Sequence, residues 1–291
     1  PFFKSSKRVY VFSFDAIIPN VKILKGNREH LMEKELIPFI DCVKKLNEVA
    51  ARVADEHFPP FDLEDLEYMH IDDLMGGEVG RSLSHHSVVN SYGWLSFDVR
   101  PKDGGGSANT DFPYTSTSDP LHKQTLRHNH LRQVYECFRY DITNSLDQSG
   151  LDLCLRLRGE LDRLVGGWLT GLTRVFSLLH RSDYLNTSSV EASLQCLLIS
   201  SENLTLTLAK LLIYGLASHF PTGSIYTFAK KDRSACFEQI TSRFGERAVY
   251  ILIGNTPEEK DSAAQLKWPF WCLAGHSDLH NLVFSIEMGF L

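Results

Sequence analysis

The chain has 291 residues, a formal net charge of −6, a hydrophobic fraction of 43% and a charged fraction of 23%. That length allows one large or two medium domains. A net negative charge without clustered Lys and Arg argues against direct nucleic-acid binding. No apolar run approaches the ~18 residues of a membrane span and no secretory signal is seen, which argues against membrane insertion and secretion.

In chain order, Val9 to Phe12 is a β-branched and aromatic run that follows Lys7-Arg8 and is broken at Pro19, the pattern of a central strand in a parallel sheet. It delivers Ser13-Phe14-Asp15. Asn27 to Val53 carries Leu31, Leu36, Phe39, Ile40, Val43, Leu46 and Val49 at helical spacing, with a break or kink expected at Pro38. Asp62 to Asp73 is acidic but lacks the ligand spacing and central Gly of a Ca²⁺ loop, and reads as a structural segment bridging domains. Met75 to Pro120, with Gly104-Gly105-Gly106, reads as a mobile loop. Two further helical patterns run from Asp119 to Ile142 and from Leu151 to Leu179.

A second apolar run, Leu194 to Ile199, ends in Ser200-Ser201-Glu202-Asn203. A helix is expected over Leu204 to Ser218, a short strand at Gly223 to Tyr226 and a helix over Lys231 to Phe244. A third strand, Ala248 to Ile253, ends in Gly254-Asn255-Thr256-Pro257-Glu258-Glu259. A last helix spans about Ser277 to Met288. Alternating strands and helices imply a parallel α/β sheet with right-handed crossovers. The long gap between the first two strands requires an inserted domain. The expected organisation is a core of 8–26 and 190–291 with a mainly helical insertion at 27–189, mobile around 75–120. Ligands of such sheets bind beyond the carboxyl ends of the strands, so the polar strand ends point to one site.

The cysteines, at 42, 137, 154, 196, 236 and 272, show no metal-ligand spacing and read as reduced thiols. His85-His86 and the His122, His128, His130 group lie among Ser, Gly, Asn and Lys and read as solvated rather than zinc-binding. Pro1 is not an initiator, so upstream sequence is expected.

The chain resembles the conserved C-terminal domain of the Eyes absent proteins from about Arg8 to Leu291. The resemblance is carried by Asp62-Leu63-Glu64-Asp65 with His70-Ile71-Asp72-Asp73, by Leu208 to Leu216, by Cys236-Phe237-Glu238 through Arg243-Phe244-Gly245 to Ile253-Gly254, and by Pro269-Phe270-Trp271 with His276 and Asp278-Leu279. It implies a haloacid-dehalogenase-like (HAD-like) Rossmannoid parallel sheet with a large helical insertion, an Mg²⁺-dependent protein tyrosine phosphatase chemistry, and a transcriptional coactivator role in the nucleus and cytoplasm. Six-type homeodomain proteins and Dachshund-type corepressors are the implied partners.

The resemblance also assigns roles position by position. The family's first strand ends in Asp-Leu-Asp-Glu-Thr, whose first Asp attacks phosphorus and binds Mg²⁺. Here Ser13 takes that place and only Asp15 survives. A serine without an adjacent base is a weak nucleophile, and it brings no charge to a hard cation. Ser201 matches the hydroxyl that holds phosphoryl oxygens. Arg233 stands where the family has Lys, with Lys230 and Lys231 as alternates, and a planar fork is not equivalent to a point charge. Asn255 replaces an Asp that binds Mg²⁺. Glu258, Glu259 and Glu202 are the acids that could compensate, although Glu258 and Glu259 also read as a helix start after Pro257.

The expectation is therefore a pseudophosphatase that works through protein contacts, with Leu282, Ser285 and Ile286 of the last helix as the partner face and Mg²⁺ binding weak or absent. The alternatives are an Mg²⁺-dependent tyrosine phosphatase with weak or compensated activity, and a phosphotyrosine sensor using Ser201 and Arg233 without cleavage.

Overall fold

The computed structural model describes residues 7–26, 32–58, 120–185, 194–228 and 232–291, with the side chains of 120–128 and 182–185 excepted. The chain divides into two compact units, one of Pro1–Tyr68 with Gln133–Leu291 and one of Met69–Arg132. The account below concerns the first. The Asp62–Asp73 segment, the expected loop at 75–119, the side chains of His85, His86, His122 and His128, and Lys230 and Lys231 lie outside the described residues.

Five strands, β1 (Arg8–Ser13), β2 (Leu194–Ser200), β3 (Ile225–Thr227), β4 (Val249–Gly254) and β5 (Phe270–Cys272), form one sheet in the order β3-β2-β1-β4-β5. Every pairing is parallel. β1 is central, which explains why Val9 to Phe12 is apolar throughout: a strand covered on both faces gains nothing from alternation. Val9 and Val11 enter a cluster with Leu197, Tyr226, Phe237, Tyr250 and Leu252. Phe12 points to the other face, where its ring meets Phe176 at 5.0 Å and Phe220 at 6.4 Å, both edge to face.

Among the described residues the α-helices are α1 (Phe14–Ile17), α2 (Val21–Lys25), α3 (Glu33–His57), α4 (Pro120–Phe138), α5 (Gln148–Leu164), α6 (Trp168–Leu185), α7 (Leu204–Tyr214), α8 (Arg233–Phe244), α9 (Pro257–Leu266) and α10 (His276–Glu287). α3 packs on α5 and α7, and α10 packs on α6. This is the HAD-like α/β arrangement.

Several boundaries differ from the sequence reading. Pro38 does not interrupt α3: it lies in the second turn, where one backbone hydrogen bond is forgone and the helix continues. The single helix expected over Leu151 to Leu179 is two. Gly166 and Gly167, at φ +62° and +79°, turn the chain. Asp162 then starts α6 by accepting from Leu169 N at 2.7 Å and from Thr170 Oγ1 at 2.6 Å. β5 was not anticipated; three residues are too few to show a period. Four of the six cysteines are buried, and all six are free thiols.

Candidate active site

In strand order β3-β2-β1-β4-β5 the chain departs from β1 toward β2 and β3 and later returns to β1's other flank as β4. The crevice of such a switch point opens at the carboxyl ends of β1 and β4. The registers Ser13↔Ile199 and Phe12↔Ile253 bring Ser13, Ser200 and Gly254 to that one end.

Ser13 is the last residue of β1 and only 3% exposed. Its side chain makes no cap bond to α1. Asp15 is the second residue of α1 and is exposed. Ser201 Oγ donates to Asp15 Oδ2 at 3.4 Å. Of the two serines at the end of β2, Ser200, the last strand residue, is consumed by the turn, accepting from Glu202 N at 3.1 Å and from Thr207 Oγ1 at 2.9 Å. Ser201 is thus the hydroxyl that faces Asp15.

Across the crevice, Asn255 Nδ2 donates to the Asp15 carbonyl oxygen at 3.3 Å. A carbonyl only accepts, so Asn255 presents its NH₂ and turns its own oxygen away. Asn255 is held by α9. Thr256 caps that helix by accepting from Glu259 N at 3.3 Å, while Glu259 Oε2 accepts from Asn255 N at 2.9 Å and Thr256 N at 3.1 Å, a complete capping box. Glu259 is 2% exposed and packs over Gly254, where a Cβ would lie 2.2 Å from its Oε2. Its twin Glu258 is exposed on the outer side of the same turn.

The carboxyl of Asp15 is held above the ordinary aspartate pKa by crowding from the protein, then by the charges of Glu259 and Glu202; the Ser201 hydrogen bond and the Lys210 ammonium oppose the shift. Lys210, in the second turn of α7, forms an ion pair with Glu202. Glu202 Oε2 is buried with no hydrogen-bond partner among the described residues. Lys210 was missed as a site residue. It sits inside the passage Leu208 to Leu216 that carries the family resemblance, but its partner precedes the helix, so no i, i+4 spacing reveals the pair.

The structure therefore brings Ser13, Asp15, Ser201, Asn255 and Glu259 to one crevice, with Glu202 and Lys210 at its edge. Arg233 is the first residue of α8, its guanidinium 5.2 Å from the Phe228 ring centroid, and its Nε is buried without a partner among the described residues. No described contact joins Arg233 to Asp15 or Ser201. On α10, Leu282 is fully buried and is a core residue, not a surface one; Ser285 and Ile286 are half-buried, while Phe284, Met288 and Phe290 are exposed.

As a donor set for a divalent cation the crevice offers one free carboxylate, neutral hydroxyls at 13 and 201, and an amide turned nitrogen-first. Glu259 spends its Oε2 on backbone N–H groups. Among the described residues no group of three or more His, Cys, Asp or Glu side chains is placed to hold a metal ion. Mg²⁺ is normally held by one or two carboxylates together with substrate phosphate and water, and of these residues Asp15 alone would supply that charge.

A parallel sheet of this order with polar strand ends around the Asp15 carboxylate, just beyond β1, is an α/β domain with the HAD-like fold. No family model matches the chain. It is 28% identical over 287 residues to human "Protein phosphatase EYA1", covering 98% of this chain and 46% of that protein. It is 26% identical over 292 residues to Drosophila melanogaster "Protein phosphatase eya", covering 99% of this chain and 36% of that protein. To Gallus gallus "Protein phosphatase EYA3" it is 30% identical over 126 residues, which are 98% of that protein and 43% of this chain. The chain belongs to the Eyes absent family. It spans less than half the length of the human and fly relatives.

Proposed function

We propose that this domain is a pseudophosphatase of the Eyes absent family that acts through protein contacts. Its implied partners are a Six-type homeodomain protein and, secondarily, a Dachshund-type corepressor, met in the nucleus and cytoplasm. The observation that carries the loss of chemistry is the Asn255 Nδ2–Asp15 O hydrogen bond beside a buried, neutral Ser13. A donor hydrogen at that carbonyl and a cation there exclude one another, and position 13 supplies no carboxylate to attack phosphorus.

The acids that could compensate are engaged elsewhere or turned outward: Glu259 in the capping box, Glu202 with Lys210, Glu258 toward solvent. For the partner face, the exposed Phe284, Met288 and Phe290 beside half-buried Ser285 and Ile286 supply apolar surface near the end of α10.

The test is Mg²⁺-dependent hydrolysis of a phosphotyrosine peptide by the wild type and by Ser13→Asp combined with Asn255→Asp. The expected result is an inactive wild type and a double variant at least roughly a hundredfold more active. Turnover by the wild type would instead favour the Mg²⁺-dependent tyrosine phosphatase reading and overturn this one. A parallel binding assay with a Six-type homeodomain partner should give equal affinity for both proteins.

A further inference from the structure

Among the described residues the crevice carries three carboxylates, Asp15, Glu202 and Glu259, and the ammonium that acts on them is that of Lys210. Only 13% of the Lys210 side chain and 28% of the Glu202 side chain are exposed, so the pair is not the freely hydrated kind whose charges water screens away. Glu202 immediately follows Ser201, the hydroxyl that faces Asp15. Its position is fixed at the backbone by the Glu202 N–Ser200 Oγ bond and by Asn203, which caps α7 by accepting from Leu206 N at 2.8 Å. The carboxylate is thus delivered to Lys210 by a turn with little freedom to withdraw it.

From this we infer that Glu202 is an internal competitor for an oxyanion. Its carboxylate occupies the cation with which the crevice would otherwise hold a phosphoryl dianion, and the ligand's charge is met by a surplus of carboxylates while Glu202 stays in place. The inference rests on the reading of the crevice as a former phosphoryl site, and it goes beyond that reading: the domain is silenced toward binding by a residue distinct from the two that silence its chemistry. Removing the Glu202 charge does two things at once. It frees the Lys210 ammonium, and it lowers the repulsion an arriving dianion meets.

The experiment is calorimetric titration with inorganic phosphate and, separately, with phosphotyrosine, in Mg²⁺-free buffer. The proteins are the wild type, Glu202→Gln, Lys210→Met and the double variant. Glu202→Gln should bind at least one probe roughly tenfold or more tightly than the wild type, the scale of one close charge pair released to a ligand. Most of the gain should be lost when Lys210→Met is added, leaving only the part due to lowered repulsion. Equal or weaker binding by folded Glu202→Gln overturns the inference, and so does a gain that survives Lys210→Met undiminished, since removing a negative charge would then be the whole effect. Glu202→Asp keeps the charge but shortens the arm. Should Glu202→Gln fail to fold, it supplies the same comparison, with a smaller gain expected and no gain overturning. Catalysis plays no part in these titrations, so turnover by the wild type in the hydrolysis assay would overturn the pseudophosphatase reading and leave this comparison standing.

Discussion

At the residue scale, Gly254 is explained by space rather than by backbone angle. It is buried at the end of β4, and Glu259 folds its carboxylate back over it to cap Asn255 and Thr256. Gly254→Ala would drive a methyl group into a buried carboxylate that has two backbone donors to satisfy. The expected cost is about 2–3 kcal/mol by urea denaturation; an unchanged midpoint would show that α9 can slide away. The sequence made Ser13, Asp15, Ser201 and Asn255 legible because each falls at a strand end, where chemistry and turn-forming residues share a place. It left Glu258 and Glu259 indistinguishable as acids. The spacing Thr256-x-x-Glu259 was the available discriminator, since a capping box claims the fourth residue and releases the third.

At the element scale, the break between α5 and α6 does more than end a helix. It lets α6 begin at Trp168, whose indole Nε1 donates to Ile17 O at 3.0 Å, tying α6 to the short helix that carries Asp15. Trp168 is fully buried, and Trp168→Phe would leave that carbonyl without a donor. A loss of about 1–3 kcal/mol is expected in thermal or urea unfolding, from the missing bond and the smaller ring together. The glycine pair that makes the turn was visible in the sequence, yet apolar residues continued at helical spacing across it and masked the break. α3 shows the related failure. Phe39, Leu46 and Val49 of the expected stripe are buried, but Ile40 is 52% exposed, and Cys42, Ala50 and Val53 complete the packed face. A pattern read from large aliphatics passes over such small and sulfur-bearing side chains.

At the scale of the whole molecule, the parallel sheet and its central strand were legible because strands covered on both faces are apolar end to end, whereas the edge strand β5 carried no such signature. One consequence of the closed core is a pH dependence. His219 is 9% exposed; burial first, then the neighbouring His180 and Arg139, lowers its pKa to about 4. The folded protein therefore keeps His219 neutral where the unfolded chain, titrating near 6.5, takes a proton. Stability from this group is complete above about pH 6.5 and is lost as pH falls toward 4, by up to ~3 kcal/mol. Asp15, with its raised pKa, works in the opposite sense just above the ordinary aspartate value. The measurement is consequently a difference: urea unfolding of wild type and His219→Gln between pH 7 and pH 4, with the wild type losing the more stability on acidification. Parallel curves would assign the slope to other groups.

The hydrogen bond between Asn255 and the Asp15 carbonyl spans residues 240 positions apart, and under the pseudophosphatase reading proposed above it couples positions 13 and 255. Ser13→Asp alone would place a carboxylate at a site 3% exposed with an amide, not a cation, beside it. Asn255→Asp alone would set a carboxylate against a carbonyl oxygen and delete the Asn255 donor, leaving that carbonyl the Asn20 amide at 3.5 Å. Under the proposed reading each single substitution is expected to lose stability in urea unfolding, and the pair together to recover a charge balance that a metal could complete. On that reading positions 13 and 255 act as one unit, tolerating exchange of both more readily than exchange of either.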